Sequence, residues 1–205
     1  YFEKARDCVG KYLLIDKSRR SKPLYNSDQI QIMIGIMLGD GHIDDRSVFS
    51  CGHGINQHDY LLHKHKIFGG YLSKIHKNTS WSCETRGMAS PVTCQTKLLR
   101  KMFYRNKQKY INDQILEMLD EKSLAFWYMD DGVLVNCDYK NSRPHMRLAT
   151  HGFSEEDQKK LKSYFIKKWG VDPNLSKQQQ NGKTYIFLEF KKDDSEKMWM
   201  KMAPY

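Results

Sequence analysis

The sequence predicts an α+β fold built from two similar halves, because one order of elements occurs twice along the chain. Each half is predicted to contain a helix, a hairpin, a second helix, a second hairpin and a third helix. Two Asp-Gly pairs, Asp40-Gly41 and Asp131-Gly132, end an apolar helix at matching points, and 131 − 40 = 91 residues separate them. A period of this length in a chain of 205 residues indicates an internal duplication.

The composition is that of a folded protein with a basic surface. Apolar residues make up 40% of the chain and aromatic residues 12%, which excludes wholesale disorder. The 34 Lys and Arg residues outnumber the 24 Asp and Glu residues, so the formal net charge is +10. Because neutralising phosphates provides non-specific affinity, this charge favours a nucleic-acid partner.

Two further features bear on the compartment and on membranes. No apolar stretch approaches the roughly 18 residues that a membrane span needs, so we expect no membrane partner. The five cysteines are odd in number and form no Cys-x-x-Cys pair, which predicts reduced thiols in an intracellular protein. An organelle and a bacterial or phage-infected cytoplasm all fit this expectation.

The first half is predicted at residues 27–115, after a basic N-terminal arm at residues 1–26. Ser27 is the predicted N-cap of an apolar helix that stops at Gly39. The following pattern predicts a hairpin at 42–54, an amphipathic helix at 57–71, a hairpin at 81–96 and a basic helix at 97–109.

The second half is predicted at residues 116–205 and repeats this order. An apolar helix at 124–129 ends in Asp130-Asp131-Gly132, and strands are predicted within 133–151. Ser154 is the predicted N-cap of an amphipathic helix, with Asp157 at capping-box spacing. Asn181-Gly182 predicts a hairpin turn between strands at 175–180 and 185–190, and a final helix begins near residue 193.

Two apolar helices that each end in Asp-Gly point to a shared acidic site. A buried Asp is costly unless it is paired or binds metal, although one Asp-Gly alone is a common turn. The spacing Gly35-x-x-x-Gly39 would let the two helices approach closely. Asp40 and Asp131 would then meet at one end, where divalent cations would neutralise their repulsion. Mg²⁺ suits such oxygen ligands, and two phosphate-bridging ions could support phosphodiester cleavage.

The two helices that end in Asp-Gly carry similar motifs, since residues 33–41 read MIGIMLGDG and residues 123–132 read SLAFWYMDDG. These motifs resemble the signature helices of LAGLIDADG homing endonucleases. The second motif resembles the intron-encoded, single-chain, two-motif subgroup, and the resemblance extends over residues 27–205. It implies two pseudo-symmetric αββαββα halves whose signature helices pack at the central interface. It also implies two antiparallel sheets that form a DNA-binding saddle.

The resemblance implies a site-specific endonuclease that hydrolyses both strands of a long, non-palindromic double-stranded DNA site as a monomer. The implied cofactor is Mg²⁺, with two or three divalent ions at the active site. By motif position, Asp40 and Asp131 would be catalytic and metal-binding. The backbone carbonyls of Gly39 and Asp130 would also approach the metals.

The resemblance also implies a basic residue near each scissile phosphate. In the first half Lys109 is the match, with Lys97 and Lys107 as alternatives. In the second half the matching lysine would follow Tyr205, or the basic group would come from elsewhere. Phe126 stands where the first motif has Gly35, so we expect an asymmetric helix interface.

Sheet residues are the candidates for reading bases, because side chains on strands can enter the major groove. The strand at 176–180 is rich in Gln and Lys, which can recognise adenine and guanine. The complete set of DNA-binding candidates is Arg46, Ser50, Arg86, Lys140, Arg143, Arg147, Lys177, Gln178, Gln180 and Lys183.

Two other functions remain open on this scaffold. One is an RNA maturase that aids the splicing of its own group I intron, and the other is a DNA-binding regulator that does not cut. Retention of both acids argues against the regulator, because unpaired buried carboxylates only cost stability. It does not exclude a maturase with own-intron RNA as a partner. Cys51 and His53 share a predicted strand face, but no second ligand pair at zinc spacing accompanies them.

Overall fold

The computed structural model describes residues 25–78, 85–135, 143–180 and 182–205, and it confirms two αββαββα halves. The first half consists of α1 (Ser27–Leu38), β1 (His42–Ile43), β2 (Phe49–Gly54), α2 (His58–Phe68), β3 (His76–Asn78), β4 (Thr85–Ala89) and α3 (Cys94–Phe103). A short hairpin, β5 (Tyr104–Arg105) and β6 (Gln108–Lys109), and the helix α4 (Asp113–Met118) follow. The second half consists of α5 (Glu121–Asp131), β7 (Gly132–Val135), β8 (His145–Ala149), α6 (Glu155–Tyr164), β9 (Asn174–Gln180), β10 (Lys183–Glu189) and α7 (Lys192–Met202).

The two four-stranded sheets share one topology. Their strand orders are β1-β2-β4-β3 and β7-β8-β10-β9, and every neighbouring pair is antiparallel. This equivalence confirms the duplication that the sequence predicts. The predicted boundary between residues 115 and 116 lies inside α4, which belongs to the connection between the halves.

The centre of the molecule is the contact between α1 and α5. Helix α1 is buried from Gln29 to Leu38, which confirms that an all-round apolar helix lies in the core. A Cβ atom on Gly35 would lie 2.2 Å from the backbone oxygen of Ser123, and one on Gly39 would lie 2.5 Å from Cβ of Asp130. The two glycines therefore permit the close helix approach that their spacing predicts.

The caps of the helices explain most of their starting points. Ser27 is the first helical residue and Asn26 is the N-cap, so the predicted cap was one residue too late. Asn26 forms a capping box with Gln29, because its side chain accepts from the N3 backbone N–H. Ser154 caps α6 as predicted, since its hydroxyl oxygen accepts from the backbone N–H of Asp157.

The predicted basic helix at 97–109 was wrong in its second half. Helix α3 ends at Phe103, and the chain turns through Asn106 and Lys107 at positive φ angles of 50° and 64°. These polar residues stand three and four positions after Phe103, where a continuing helix would need apolar side chains for its buried face. Lys109 consequently lies on the strand β6 and not on a helix.

The second hairpin of the first half was predicted too late in the sequence. Its strands are β3 and β4, whereas the predicted range 81–96 reaches into α3, which Thr93 caps. The first strand was missed because His76 and Lys77 are both exposed and show no apolar alternation.

Several predictions fall on residues that the structure does not describe. The basic arm up to residue 24, the candidate Lys140 and Asn181 of the predicted turn lie outside the described residues. Within the described ranges, Cys51 and Cys94 are reduced thiols. In the same ranges no helix has the length and apolar character of a membrane span.

The contact between α1 and α5 makes Gly35 intolerant of any side chain. We expect Gly35→Ala to lower the free energy of unfolding by about 3 kcal/mol, because the new methyl group meets a backbone oxygen that cannot rotate away. Urea denaturation measures this loss. The matched control is Gly54→Ala, where nothing lies within 4 Å of the added Cβ and the change should stay within about 0.5 kcal/mol. Equal losses in the two variants would contradict the packing argument.

Candidate active site

The paired ends of α1 and α5 bring three acidic residues together. Asp40 follows Gly39, the C-cap of α1, and Asp130 and Asp131 are the last two residues of α5. The backbone N–H of Asp40 donates to Oδ2 of Asp130 over 3.4 Å. The Asp40 side chain is 41% exposed, whereas that of Asp130 is fully buried. Within this cluster the Asp40 carboxylate is therefore accessible to solvent, and the Asp130 carboxylate is not.

Asp40 and Asp131 hold their protons more tightly than free carboxyl groups do, because the pKa of each is raised. Burial, followed by the charges of Asp40 and Asp130, raises the pKa of Asp131 to about 7. Burial and the Asp130 charge also raise the pKa of Asp40, and Lys64 and Lys109 oppose this effect. A divalent cation would supply the missing positive charge, so Asp40 and Asp131 fit a Mg²⁺ site in donor chemistry and in electrostatics.

Lys109 reaches the acids from the β5–β6 hairpin. Its Nζ donates to the backbone oxygen of Gly39 over 3.1 Å. Burial lowers the pKa of Lys109, and the charges of Asp131, Asp40 and Asp130 raise it. The two alternative lysines, Lys97 and Lys107, are exposed. The structure thus brings Lys109 to the acids, and its catalytic role stays a prediction.

The carboxylate of Asp130 points into the first half and away from solvent. Its Oδ1 accepts from Nζ of Lys64 at 2.5 Å and from the hydroxyl of Tyr60 at 2.8 Å. Lys64 is itself fully buried. Both of these donors bind Oδ1, and Oδ2 accepts from the backbone N–H of Asp40. The metal contact through the backbone carbonyl of Asp130 stays a prediction.

A buried imidazole completes the site and was not among the predicted functional residues. His53 on β2 has a 1% exposed side chain, with Nε2 at 2.8 Å from Nζ of Lys64 and Nδ1 at 3.4 Å from Oδ2 of Asp40. Burial and the Lys64 charge lower its pKa to about 4, so the ring is neutral. In the sequence, the indication of a buried polar partner was Lys64. This lysine lies on the buried side of α2 together with Leu61 and Phe68.

Oxygen and nitrogen atoms of Asp40, His53 and Asp130 lie within 4.8 Å of one another, as the ligands of a metal ion would. The ammonium of Lys64 contacts both His53 and Asp130, so this triangle of three side chains already contains a positive charge. This triangle is therefore not assigned as the Mg²⁺ site.

The first sheet places its DNA-binding candidates on different faces. Residues directly opposite on paired strands share a face. Arg86 pairs with His53 on the face that packs against α2, and its Nη1 lies 3.4 Å from Nε2 of His58. Ser50 lies on the opposite face, which we call the outer face of the sheet. Arg46 is exposed at the β1–β2 turn and forms an ion pair with Asp44 at 2.8 Å.

The second sheet divides its candidates in the same way. Arg147, Gln178 and Lys183 occupy the outer face, opposite the side of the buried Leu148 and Leu188. Gln180 lies directly opposite Lys183 in the antiparallel register of β9 and β10.

Two candidates of the second half lie away from that outer face. Lys177 shares the face of Leu175. The hydrogen bond and charge of Lys159, followed by the charge of Lys177, lower the pKa of Glu155 on α6. Arg143 is exposed and forms ion pairs with Asp193 and Glu196 of α7. For every candidate, contact with bases stays a prediction.

Comparison with known proteins gives one family model and several relatives. The model of the LAGLIDADG DNA endonuclease family matches residues 30–198. Protein RecA of Mycolicibacterium flavescens is 27% identical over 96% of this chain, and the chain spans about half (49%) of that relative's length. DNA endonuclease I-ChuI of Chlamydomonas applanata is 23% identical, over 73% of this chain and 76% of the relative.

A maturase and a solved structure are also similar to the chain. Cytochrome b mRNA maturase bI2 of Debaryomyces hansenii is 23% identical, over 77% of this chain and 62% of the relative. The structure of homing endonuclease I-WcaI bound to its DNA recognition sequence matches with a TM-score of 0.74 and 22% identity. This match covers 98% of this chain and 93% of the other, so the two proteins share a fold.

The raised pKa of Asp131 predicts a pH-dependent cost of burying this acid. Between an unfolded pKa of about 4 and the folded value of about 7, the folded state keeps a proton that the unfolded state has lost. Stability should therefore fall as pH rises through this window. We expect Asp131→Asn, which cannot ionise, to become increasingly more stable than the unsubstituted protein from pH 4 to 7 and to keep a constant lead above that. Urea unfolding in a metal chelator measures the difference, and parallel curves would contradict the assignment.

Proposed function

The chain belongs to the LAGLIDADG DNA endonuclease family, and we propose on this premise that it cuts both strands of a specific double-stranded DNA site with the help of Mg²⁺. The observation that carries the proposal is the meeting of Asp40 and Asp131. These acids end two equivalent helices at one point of the structure, with Lys109 beside them.

Each residue of the site has a proposed part in the reaction. Asp40 and Asp131 would hold two or three Mg²⁺ ions, with the carbonyl oxygens of Gly39 and Asp130 as further oxygen donors. The bound ions would polarise the scissile phosphates and lower the pKa of an attacking water. Lys109 would place its ammonium next to a phosphate and stabilise the charge that develops there. Its partial burial strengthens that interaction, because little solvent screens it.

The outer faces of the two sheets are the proposed DNA-binding surface. The proposed DNA contact on the first sheet is Ser50. On the second sheet the proposed contacts are Arg147, Gln178 and Lys183. Arg147 forms an ion pair with Glu189 at 3.2 Å, and an Arg at this position would be suited to recognise a guanine. Because the halves present different side chains, they would read different half-sites. The net charge of +10 would add affinity for the phosphates of both strands.

Own-intron RNA is the second candidate partner. The sequence similarity to a cytochrome b mRNA maturase supports it, since that protein is named as an mRNA maturase. The nuclease is favoured because the two acids and Lys109 converge on one site, which RNA binding alone would not require. A regulator that does not cut is a third hypothesis, and the retention of both acids argues against it.

The test of the nuclease is loss of cleavage with retention of binding. The target is first selected from a randomised duplex library with Mg²⁺. We expect Asp40→Asn and Asp131→Asn to abolish cleavage of both strands and to change DNA affinity less than about tenfold, because affinity rests on phosphate and base contacts. Gel-based cleavage and binding titrations measure the two effects separately.

Asp59→Asn is the matched control for these two variants, because Asp59 is an exposed acid on α2. It should cleave like the unsubstituted protein. Undiminished cleavage by Asp40→Asn or Asp131→Asn would remove that acid from the site. Loss of folding in both would instead assign the acids a structural role.

The two halves in one chain predict a monomer on an asymmetric target. We expect one chain per duplex and no palindrome in the selected site, because the α1–α5 interface is internal and the two sheets differ in sequence. Sedimentation equilibrium of the complex gives the stoichiometry, and the selected library gives the site. Two chains per duplex, or a palindromic preferred site, would overturn this prediction.

A further inference from the structure

A buried series of polar groups connects the core of the first half to its exposed acid. Asp130, Lys64 and His53 follow one another at 2.5 and 2.8 Å, and His53 faces Asp40 at 3.4 Å. We propose that His53, held by Lys64, is a positioning residue that orients Asp40 for metal binding, and that the described part of the second half lacks an equivalent. The inference rests on the proposed metal-dependent nuclease.

Lys64 is held in place by its buried contacts and in turn holds His53. Its ammonium is fully buried, which is costly unless every hydrogen finds an acceptor. Oδ1 of Asp130 and Nε2 of His53 both accept from it, and the ring of Tyr60 lies 4.2 Å away. A displacement of Lys64 would leave a buried charge on Asp130 without its partner, so the ammonium cannot readily move.

The contact with Lys64 fixes the tautomer of His53. An ammonium group has three hydrogens and no acceptor, so Nε2 of His53 must accept the hydrogen bond. The ring hydrogen then resides on Nδ1, which faces the Asp40 carboxylate. This Nδ1 is buried and has no hydrogen-bond partner among the described residues. A hydrogen bond from Nδ1 to Asp40 would give this buried donor a carboxylate acceptor, and Gln57 is the other side chain whose hydrogen bonding acts on the ring.

The same tautomer excludes His53 from the metal itself. A ring nitrogen that carries hydrogen has no lone pair to give to an ion, and Nε2 is occupied by Lys64. His53 can therefore act only through Asp40, by holding its carboxylate in one orientation. Hydrogen bonds of this kind to a metal-binding carboxylate typically contribute about 10–100-fold to metal affinity.

The second half has a different pair of residues at the equivalent place. With Asp40 matched to Asp131, His42 corresponds to Val133, and the strand pairing then matches Ser50 to Arg147. His53, three residues after Ser50, corresponds to Thr150.

Thr150 is fully buried, and its hydroxyl donates to Oε1 of Gln158 at 3.0 Å. This neutral pair contains no imidazole that could face Asp131. The positioning device is therefore absent from the described part of the second half.

The asymmetry originates in one difference between the two motifs. Asp130 occupies the position that Gly39 has in the first motif, because 39 + 91 = 130. Gly39 has no side chain, and Cβ of Asp130 lies where a Cβ on Gly39 would need space. The carboxylate of the second motif thereby crosses the helix interface and becomes the partner of Lys64 in the first half.

Two substitutions at position 53 separate the donor from the acceptor. His53→Gln retains a group at the Nε2 position for Lys64 but loses the donor toward Asp40, whereas His53→Asn places its amide near the Nδ1 position. We expect His53→Gln to weaken Mg²⁺ binding about 10–100-fold and His53→Asn to weaken it only a few-fold. Thr150→Val is the control in the second half and should leave Mg²⁺ affinity unchanged.

Mg²⁺ affinity is measured by isothermal titration of the DNA-free protein, alongside the Mg²⁺ concentration for half-maximal cleavage. If His53 acts through Asp40, His53→Gln should have no additional effect in the Asp40→Asn background. Equal losses in His53→Gln and His53→Asn, or a full effect of His53→Gln in that background, would overturn the proposal. Because the titration needs no DNA, it also separates this outcome from a failure of the nuclease proposal.

A spectroscopic readout on the unsubstituted protein keeps the test independent of whether a variant folds. Long-range ¹⁵N–¹H correlation spectra report which ring nitrogen of a histidine carries hydrogen. We expect hydrogen on Nδ1 of His53 in the metal-free protein. Hydrogen on Nε2 would overturn the proposal, because Lys64 would then not fix the ring.

Discussion

The close packing of α1 against α5 is the constraint on which the rest of the structure depends. Gly35 and Gly39 allow the helix backbones to approach, and any side chain at Gly35 would meet the backbone oxygen of Ser123. This contact is the interface of the two halves, so it sets the relation between the sheets that follow each helix. It also determines that Asp40 and Asp131 end at the same point. Separating the helices would disperse the acids.

Bringing acids together at this point has an electrostatic cost that the surrounding residues partly offset. The pKa values of Asp40 and Asp131 remain raised even though Lys64 and Lys109 approach the cluster. The remaining negative charge is what a divalent cation would neutralise, and the exposure of Asp40 gives such an ion access. The same arrangement that lowers the stability of the metal-free protein therefore prepares it for an ion and a phosphate.

The two halves have kept one fold while their motifs have taken different roles. The first motif has small residues, Gly35 and Gly39, where the second has Phe126 and Asp130. Large and small side chains thus meet across the interface, as close packing requires. Asp130 gives the first half a buried ion pair with Lys64, whereas the second half has the neutral pair Thr150 and Gln158. The duplicated chain is therefore two-fold in topology and asymmetric in chemistry.

The sequence by itself determined the order of elements, the buried signature helices and the two acids that end them, because these depend on local periodicity and on a repeat. It misplaced the end of α3, where the loss of apolar positions after Phe103 was not recognised. Only the tertiary structure decided that Arg86 and Lys177 lie on the helix-covered faces of their sheets, since one residue of register reverses a strand's faces. It also decided the partners of Lys64, because a buried charge is satisfied by residues that the fold, and not sequence proximity, brings within hydrogen-bond distance.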